Sequence, residues 1–375
     1  MTNKIMIIAG EASGDLHGSG LVRELKEKDP NLRIFGIGGD KMQQSGMELI
    51  YHVNEMSVLG FLDVLKQFRF FKRVYKHLVD KLEKEQPAVL VLIDYPGLNL
   101  KLANAAHQKG IKVLYYIAPQ VWAWGKKRVK KMAQTVDKMA IIIPFEEKMY
   151  RDARIDATFV GHPLLETLKT KLTKNELFTR HGLNPNLKTI GLLPGSRPLE
   201  VKRLLPEMLR TIKLLKNSHP NIQVVLGKAD SLDLEIYKQV IPETNEVQLL
   251  ENSTYEIMKH SDLLIVASGT ATLESALLET PLIIVYKVDR LSYFIGRMLV
   301  KIDSIGLVNV IAEKRIVPEF IQHQFKAENL IPEMENLLFD QKRKAKMIKD
   351  LSEIKQKLGK AGAAEKTAQM VLGMM

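Results

Sequence analysis

Residues 263–277 read LLIVASGTATLESAL. Five apolar residues run as a buried strand, Ser268-Gly269-Thr270 makes a small-residue turn, and a helix-compatible segment follows at once. A strand fed straight into a helix is the unit of a parallel α/β sheet. That order points the bare N–H groups of the helix N-terminus, Gly269 and Thr270 first, at whatever lies above the sheet edge, a cradle suited to phosphate. Glu274, one turn inside the helix, is placed to accept hydrogen bonds from a sugar's hydroxyls. The same grammar occurs upstream: a strand at 189–193, then Pro194-Gly195-Ser196-Arg197, then a helix from about Glu200. Arg197 there supplies a forked cation for a pyrophosphate. Two anion loops in one α/β unit indicate a nucleotide diphosphate site. The competing reading is that Gly195 and Gly269 only permit tight strand-to-helix turns.

Outward from this segment, apolar β-type runs alternate with amphipathic stretches. Strands are expected at 5–9, 33–37, 89–93, 113–117 and 139–143, and again at 189–193, 223–226, 263–266 and 282–285. Such alternation implies parallel, doubly wound sheets. A break falls around 161–188, where His162-Pro163 precedes a polar helix and Gly182-Leu183-Asn184-Pro185. The expected division is an N-terminal domain at 1–165, a nucleotide-binding domain at 166–344, and Lys-rich helices at 345–375 that are candidates to pack back on the first domain.

The 375 residues suffice for two domains with full cores, and the absence of cysteine excludes disulfides, thiolate metal sites and Cys nucleophiles. The opening MTNKIMIIAG is too short for a signal-peptide core and reads as a first strand. Nowhere do ~18 apolar residues run together, so no spanning segment is expected. The formal charge of +12 calls for a partner. Lys66, Arg69, Lys72, Arg73 and Lys76 form one basic cluster, and Lys126-Lys127-Arg128 with Lys130-Lys131 another. Anionic lipid headgroups, phosphorylated substrates and nucleic acid all answer to such charge, as does plain solvation. On a helix at 61–82, Phe61, Leu65, Phe68, Phe71, Tyr75 and Leu82 share a core stripe, and Lys66, Arg69, Arg73 and Lys76 lie opposite. Phe70 is expected to project among the basic residues, a pattern that fits a membrane surface.

The first strand runs into Ala9-Gly10-Glu11-Ala12-Ser13-Gly14-Asp15-Leu16-His17-Gly18. This is not G-x-G-x-x-G, and Glu11 and Asp15 stand where a cofactor pyrophosphate would lie, which argues against NAD. The loop, with Ser13 and Gly14, is built to meet hydroxyls or a cation. Asp94 ends the strand at 89–93, on the sheet edge where open α/β sheets bind ligands, and a carboxylate there can act as general base toward an alcohol. Simpler roles compete: Asp15 capping its helix, and Asp94 ordering the Tyr95-Pro96-Gly97 turn. Gln120, Trp122 and Trp124 follow another strand end, where large aromatics can wall a cleft. His162 reads as a hinge or interdomain hydrogen-bonding residue. With no second His at ligand spacing, no metal and no cofactor is assigned.

Gly10-Glu11-Ala12-Ser13-Gly14-Asp15, Pro119-Gln120-Val121-Trp122-Ala123-Trp124, Val160-Gly161-His162-Pro163, Gly195-Ser196-Arg197 with Glu200, Ser268-Gly269-Thr270-Ala271-Thr272-Leu273-Glu274 and Val317-Pro318-Glu319-Phe320-Ile321-Gln322 occur in one order across nearly the whole chain. Together they resemble the lipid-A-disaccharide synthases. The resemblance implies an α/β protein of the GT-B type, with two Rossmann-like doubly wound domains facing across a cleft. It implies an inverting glycosyltransferase that joins UDP-2,3-diacylglucosamine to 2,3-diacylglucosamine 1-phosphate, giving a β(1→6) disaccharide and UDP. It also implies a peripheral enzyme on the cytoplasmic face of a Gram-negative inner membrane.

Under that resemblance Gly195, Ser196, Arg197, Gly269, Thr270 and Glu274 hold the donor, and Asn309, Glu319 and Gln322 complete its pocket. A helix N-terminus and an arginine can stabilise the leaving UDP without a metal. Members often read D-x-P-D-F-N, their second acid being the candidate base. Here Asp94-Tyr95-Pro96-Gly97-Leu98-Asn99 places Gly97 at that position. The base therefore stays open among Asp94, Asp15 and Glu11. Members also often read L-P-N where Leu307-Val308-Asn309 stands, which keeps Asn309. The rival enzyme is a non-hydrolysing UDP-N-acetylglucosamine epimerase or another UDP-sugar GT-B enzyme. A nucleic-acid-binding protein would leave both phosphate loops and the acidic Gly10–Asp15 loop unexplained, so no nucleic-acid partner is expected.

Overall fold

A computed structural model describes residues 3–56, 64–119, 126–241, 247–289 and 304–375, and the chain divides into two units. The first comprises Met1–Leu164 with Leu358–Met375, the second Leu165–Lys357.

In the first unit β1 (Lys4–Ala9), β2 (Arg33–Gly38), β3 (Glu48–His52), β4 (Val89–Ile93), β5 (Lys112–Tyr116), β6 (Lys138–Ile141) and β7 (Asp156–Phe159) form one parallel sheet. Their order is β3-β2-β1-β4-β5-β6-β7. All five residues of β4, VLVLI, are buried, as a strand covered by helices on both faces requires. The helix Pro96–Gln108 contributes Leu98, Leu102, Ala103 and Ala106 to the core beside Met6, Ile8, Leu90 and Leu92. The C-terminal helix Ala363–Leu372 packs along the helix Ala12–Lys28, and the Lys112 ammonium donates to the Met374 carbonyl at 2.6 Å. Its neighbour Gln341–Lys357 belongs to the second unit, so the terminal helices divide between the two units.

The helix Val64–Glu85 buries Val74, Leu78 and Leu82. Arg69, Lys72, Arg73 and Lys76 are exposed, but Phe70 does not stand among them. It is half-buried against the core, edge-on to Tyr51 at 6.4 Å and to Phe71 at 5.7 Å. The reason is spacing: Phe70, Val74 and Leu78 recur every fourth residue and share one row. Phe61 of the expected stripe lies outside the described residues.

In the second unit β8 (Lys188–Leu193), β9 (Ile222–Gly227), β10 (Gln248–Leu250), β11 (Leu263–Ala267), β12 (Leu282–Tyr286) and β13 (Glu319–Ile321) are again parallel, in the order β10-β9-β8-β11-β12-β13. Each unit is a doubly wound, Rossmann-like sheet. In each, the strand order reverses once, between β1 and β4 and between β8 and β11. The crevice at the carboxyl ends of such a pair is where open α/β sheets take ligands. Among the described residues no helix is long and apolar enough to cross a membrane.

Candidate functional site

Each reversal point carries the loops that the sequence singles out. In the first unit Gly10 follows β1 and Asp94 follows β4. Asp94 and Tyr95 both adopt left-handed backbone, with φ of 44° and 46°. Two consecutive non-glycine residues there cost about 1 kcal/mol or more each and need support. The support is specific: the Asp94 carbonyl accepts from the buried Asn99 amide at 2.7 Å and from the Tyr115 hydroxyl at 2.5 Å, and Asn99 also donates to the Ile93 carbonyl at 3.1 Å. Pro96 then opens the next helix, where its missing N–H is no loss. The result displays a half-buried Asp94 carboxyl at the sheet edge. Burial, and then the charge of Glu11, push its pKa up to about 6, against a hydrogen bond from the Tyr95 backbone. A carboxylate that binds protons this close to neutrality suits general-base work. Gly97 is exposed, and a Cβ built there meets nothing within 4 Å.

Asp15 has a different occupation. It is 5% exposed; its Oδ1 accepts from the Gly39 and Met42 N–H groups at 2.7 and 3.0 Å, and its Oδ2 from the Lys41 N–H at 3.2 Å. The carboxylate thus caps the helix Asp40–Gln44, not its own, and joins the loop after β1 to the loop after β2. Glu11 is exposed as the N-cap residue of Ala12–Lys28, Ser13 is half-buried, and Gly14 packs on Ala9. His17 and His162 are buried edge-on at 6.4 Å. Burial lowers their pKa values to about 4 and about 3, so both are neutral. His162 Nδ1 accepts from the Leu164 N–H at 3.2 Å. Gln120, Trp122 and Trp124 lie outside the described residues.

The two loops of the second unit differ from each other. After β8, Gly195 has φ +115°, and a Cβ there would fall 2.3 Å from Glu200 Oε2. That oxygen accepts from the Ser196 and Arg197 N–H groups at 3.1 and 3.3 Å. This loop therefore does not offer bare amides: the chain's own carboxylate fills the nest, as the third helical residue does in a capping box. What it presents outward is the Arg197 guanidinium, 72% exposed and 3.6 Å from Glu200 Oε1. After β11, Gly269 is extended, with φ 166°, and nothing lies within 4 Å of a Cβ built on it. The tight-turn explanation accounts for Gly195 but not for Gly269. Among the described residues no group accepts the N–H of Gly269, Thr270 or Ala271, and Gly269 and Thr270 are exposed. Behind them Glu274 is half-buried, and burial pushes its pKa up to about 7 against a 3.3 Å hydrogen bond from the Tyr255 hydroxyl.

Asn309, Glu319 and Gln322 bind the protein itself. Asn309 Oδ1 accepts from the Ile316 and Val317 N–H groups, both at 2.9 Å, and its amide donates to Glu319 Oε1 at 2.7 Å. Glu319 also accepts from the Ile305 and Gly306 N–H groups at 2.9 and 3.0 Å. Gln322 pairs with both backbone groups of Val288. These side chains shape the segment beside Ser268, whose hydroxyl lies 3.5 Å from the Ile305 carbonyl. Tyr95, Asn99, Tyr115 and Tyr255 are supporting residues that sequence reasoning did not single out. Among the described residues, three His, Asp or Glu side chains nowhere gather as a ligand set.

The sequence pattern of the lipid-A-disaccharide synthetase family matches residues 5–373. The chain belongs to this family. A lipid-A-disaccharide synthase from Geobacter metallireducens is 41% identical over 373 residues, spanning 99% of this chain and 97% of the relative. One from Syntrophus aciditrophicus is 42% identical over 373 residues, with the same coverage. Among solved structures, the UDP-GlcNAc 2-epimerase of Neisseria meningitidis bound to UDP-GlcNAc superposes with a TM-score of 0.69, at 13% identity over 99% of this chain and 100% of that one. The calicheamicin glycosyltransferase CalG4 superposes with a TM-score of 0.64 at 14% identity, over 100% and 98%. These likenesses establish the GT-B fold. Membership of the lipid-A-disaccharide synthase family makes the chain a glycosyltransferase of the hexosyl-transferring kind, and the epimerase likeness extends to fold alone.

Proposed function

We propose that the chain joins UDP-2,3-diacylglucosamine to 2,3-diacylglucosamine 1-phosphate, giving the β(1→6) disaccharide 1-phosphate and UDP. The observation that carries this reading is the chemistry at the two reversal points: a proton-accepting carboxyl in one unit, open amides and an exposed arginine in the other. The second unit takes the donor and the first the acceptor. Asp94 accepts the proton of the acceptor's 6-hydroxyl while that oxygen attacks C1 of the donor. The bond from C1 to the diphosphate oxygen breaks, and UDP leaves with both electrons. The Gly269 and Thr270 amides and Arg197 meet the charge that develops on it. Asp15, with three N–H groups on its carboxylate, serves as a cap, and the Glu11 charge adds to the effect of burial on Asp94. Asn309, Glu319 and Gln322 act on the donor by shaping its loop, and Ser13, Gly14, Gln120, Trp122 and Trp124 serve the acceptor side.

The exposed row Arg69, Lys72, Arg73 and Lys76 supports attachment to an anionic membrane surface, which suits lipid substrates and a peripheral place on the inner face of the inner membrane. Incubating the purified protein with the two diacylated sugars tests the reaction. Mass and NMR spectra are expected to show one β-linked disaccharide 1-phosphate per UDP released. A donor merely epimerised at C2, with no second sugar consumed, would overturn it.

A further inference from the structure

Glu274 sits one turn into the helix Thr270–Leu277, directly behind the open amides of Gly269 and Thr270. It is not alone there. Tyr255, in the first turn of the helix Thr254–His260, reaches across with its hydroxyl 3.3 Å from Glu274 Oε1. Both helices start at the carboxyl edge of the same sheet, one after β10 and one after β11, and the Tyr255–Glu274 contact joins them there. Burial and the neighbouring carboxylate push the Tyr255 pKa further up, so this phenol remains a donor at any working pH. Tyr255 is half-buried, and a phenylalanine would fill its packing equally well. The hydroxyl adds one thing: a fixed donor to one oxygen of Glu274.

We propose that Tyr255 is a positioning residue for the donor site, its hydroxyl holding the Glu274 carboxylate in the orientation that accepts a vicinal diol. This rests on the donor assignment above. A carboxylate offers about four acceptor positions, and Tyr255 occupies one. The rest of Oε1 and the whole of Oε2 remain for two adjacent hydroxyls. In a nucleoside-diphosphate sugar acylated at positions 2 and 3 of the hexose, the ribose carries the sole vicinal diol, so the pair reads the nucleotide and not the transferred sugar.

Calorimetry with UDP and with 2′,3′-dideoxy-UDP tests this on the full chain. The unmodified protein is expected to prefer UDP by at least about tenfold, as hydrogen bonds to a charged group imply. Tyr255→Phe should lose most of that preference by weakening UDP, with dideoxy-UDP unchanged. In a Glu274→Gln background the same substitution should do nothing further, since the group it orients no longer carries charge. Equal weakening of both nucleotides would mean that Tyr255 only props the fold, and an undiminished preference would mean that the hydroxyl is irrelevant; either overturns the inference. Failure of the unmodified protein to bind UDP at all would instead remove the donor assignment beneath it.

Discussion

The ring of Tyr95 takes the space where a side chain on Gly10 would begin: a Cβ built on residue 10 falls 2.3 Å from the Tyr95 ring carbon Cγ. The loop after β1 and the loop after β4 are thus fitted to each other at the point where the strand order reverses, and the left-handed backbone of Tyr95 is part of the fit.

Gly10→Ala should therefore force the ring aside. Overpacking of this kind costs about 1–3 kcal/mol, read as a lower urea midpoint, and turnover should fall with it because Asp94 precedes the displaced residue. Adding Tyr95→Ala should recover part of the lost stability, and strict additivity of the two changes would refute the coupling.

Asp94→Asn should lower turnover by roughly 10²–10⁴-fold while leaving UDP affinity unchanged. In the unmodified protein kcat/KM should fall as pH drops below about 6, where Asp94 takes up its proton. Stability should move the other way. The folded pKa lies above that of an unfolded carboxyl, so the ionised group opposes folding at pH 7, and that opposition fades as pH falls through about 6. The Asn variant should then melt at the same temperature or higher, whereas a marked drop would make Asp94 a structural residue.

Asp15→Asn is expected to behave in the opposite manner. It removes a charged cap whose oxygens hold three N–H groups, so it should destabilise by roughly 1–3 kcal/mol. Turnover per folded molecule should stay within a few-fold of normal. Large loss of turnover in a fully stable Asp15→Asn protein would return the base to this loop.

UDP affinity should rise between about pH 6 and pH 8, as Glu274 ionises and gains acceptors for the diol. Dideoxy-UDP, which shares every phosphate pKa but lacks the diol, should show a flatter profile. Parallel profiles would exclude Glu274 from the diol contact.

Arg69→Glu with Arg73→Glu should weaken sedimentation with anionic vesicles by on the order of tenfold or more, at about 1 kcal/mol per basic residue near the surface. Phe70→Ser should leave vesicle binding intact and lower the melting temperature, because its ring packs against Tyr51 and Phe71. The reverse pattern would put Phe70 in the bilayer.

The strands that escaped sequence reading are β3, β7, β10 and β13, and these are the four edges of the two sheets. An inner strand such as VLVLI is buried throughout and announces itself as an apolar run. An edge strand such as ELIYH has no fully buried residue, so its pattern blends into the surrounding loops. The site divides along a similar line. Gly10, Asp94, Gly195 and Gly269 were legible because a βα junction fixes where a loop must lie. The pairings that brace these loops were not: Asp15 meets Gly39, Tyr255 meets Glu274 and Asn309 meets Glu319 only once the chain has folded. Glu200, though close in sequence to Ser196, occupies on its own loop the amides that the motif alone would leave for phosphate.

The helix Ala363–Leu372, which packs beside Ala12–Lys28, makes the first unit discontinuous in time as well as in sequence. On the ribosome, residues 165–357 must all be made before that helix exists, an interval of about 10–40 s at ordinary elongation rates. Through that interval Gly20, which faces Ala364, waits for the helix that packs beside it. The unit begun first is the one finished last, and a chain cut short before residue 358 would leave both units translated but only one of them whole.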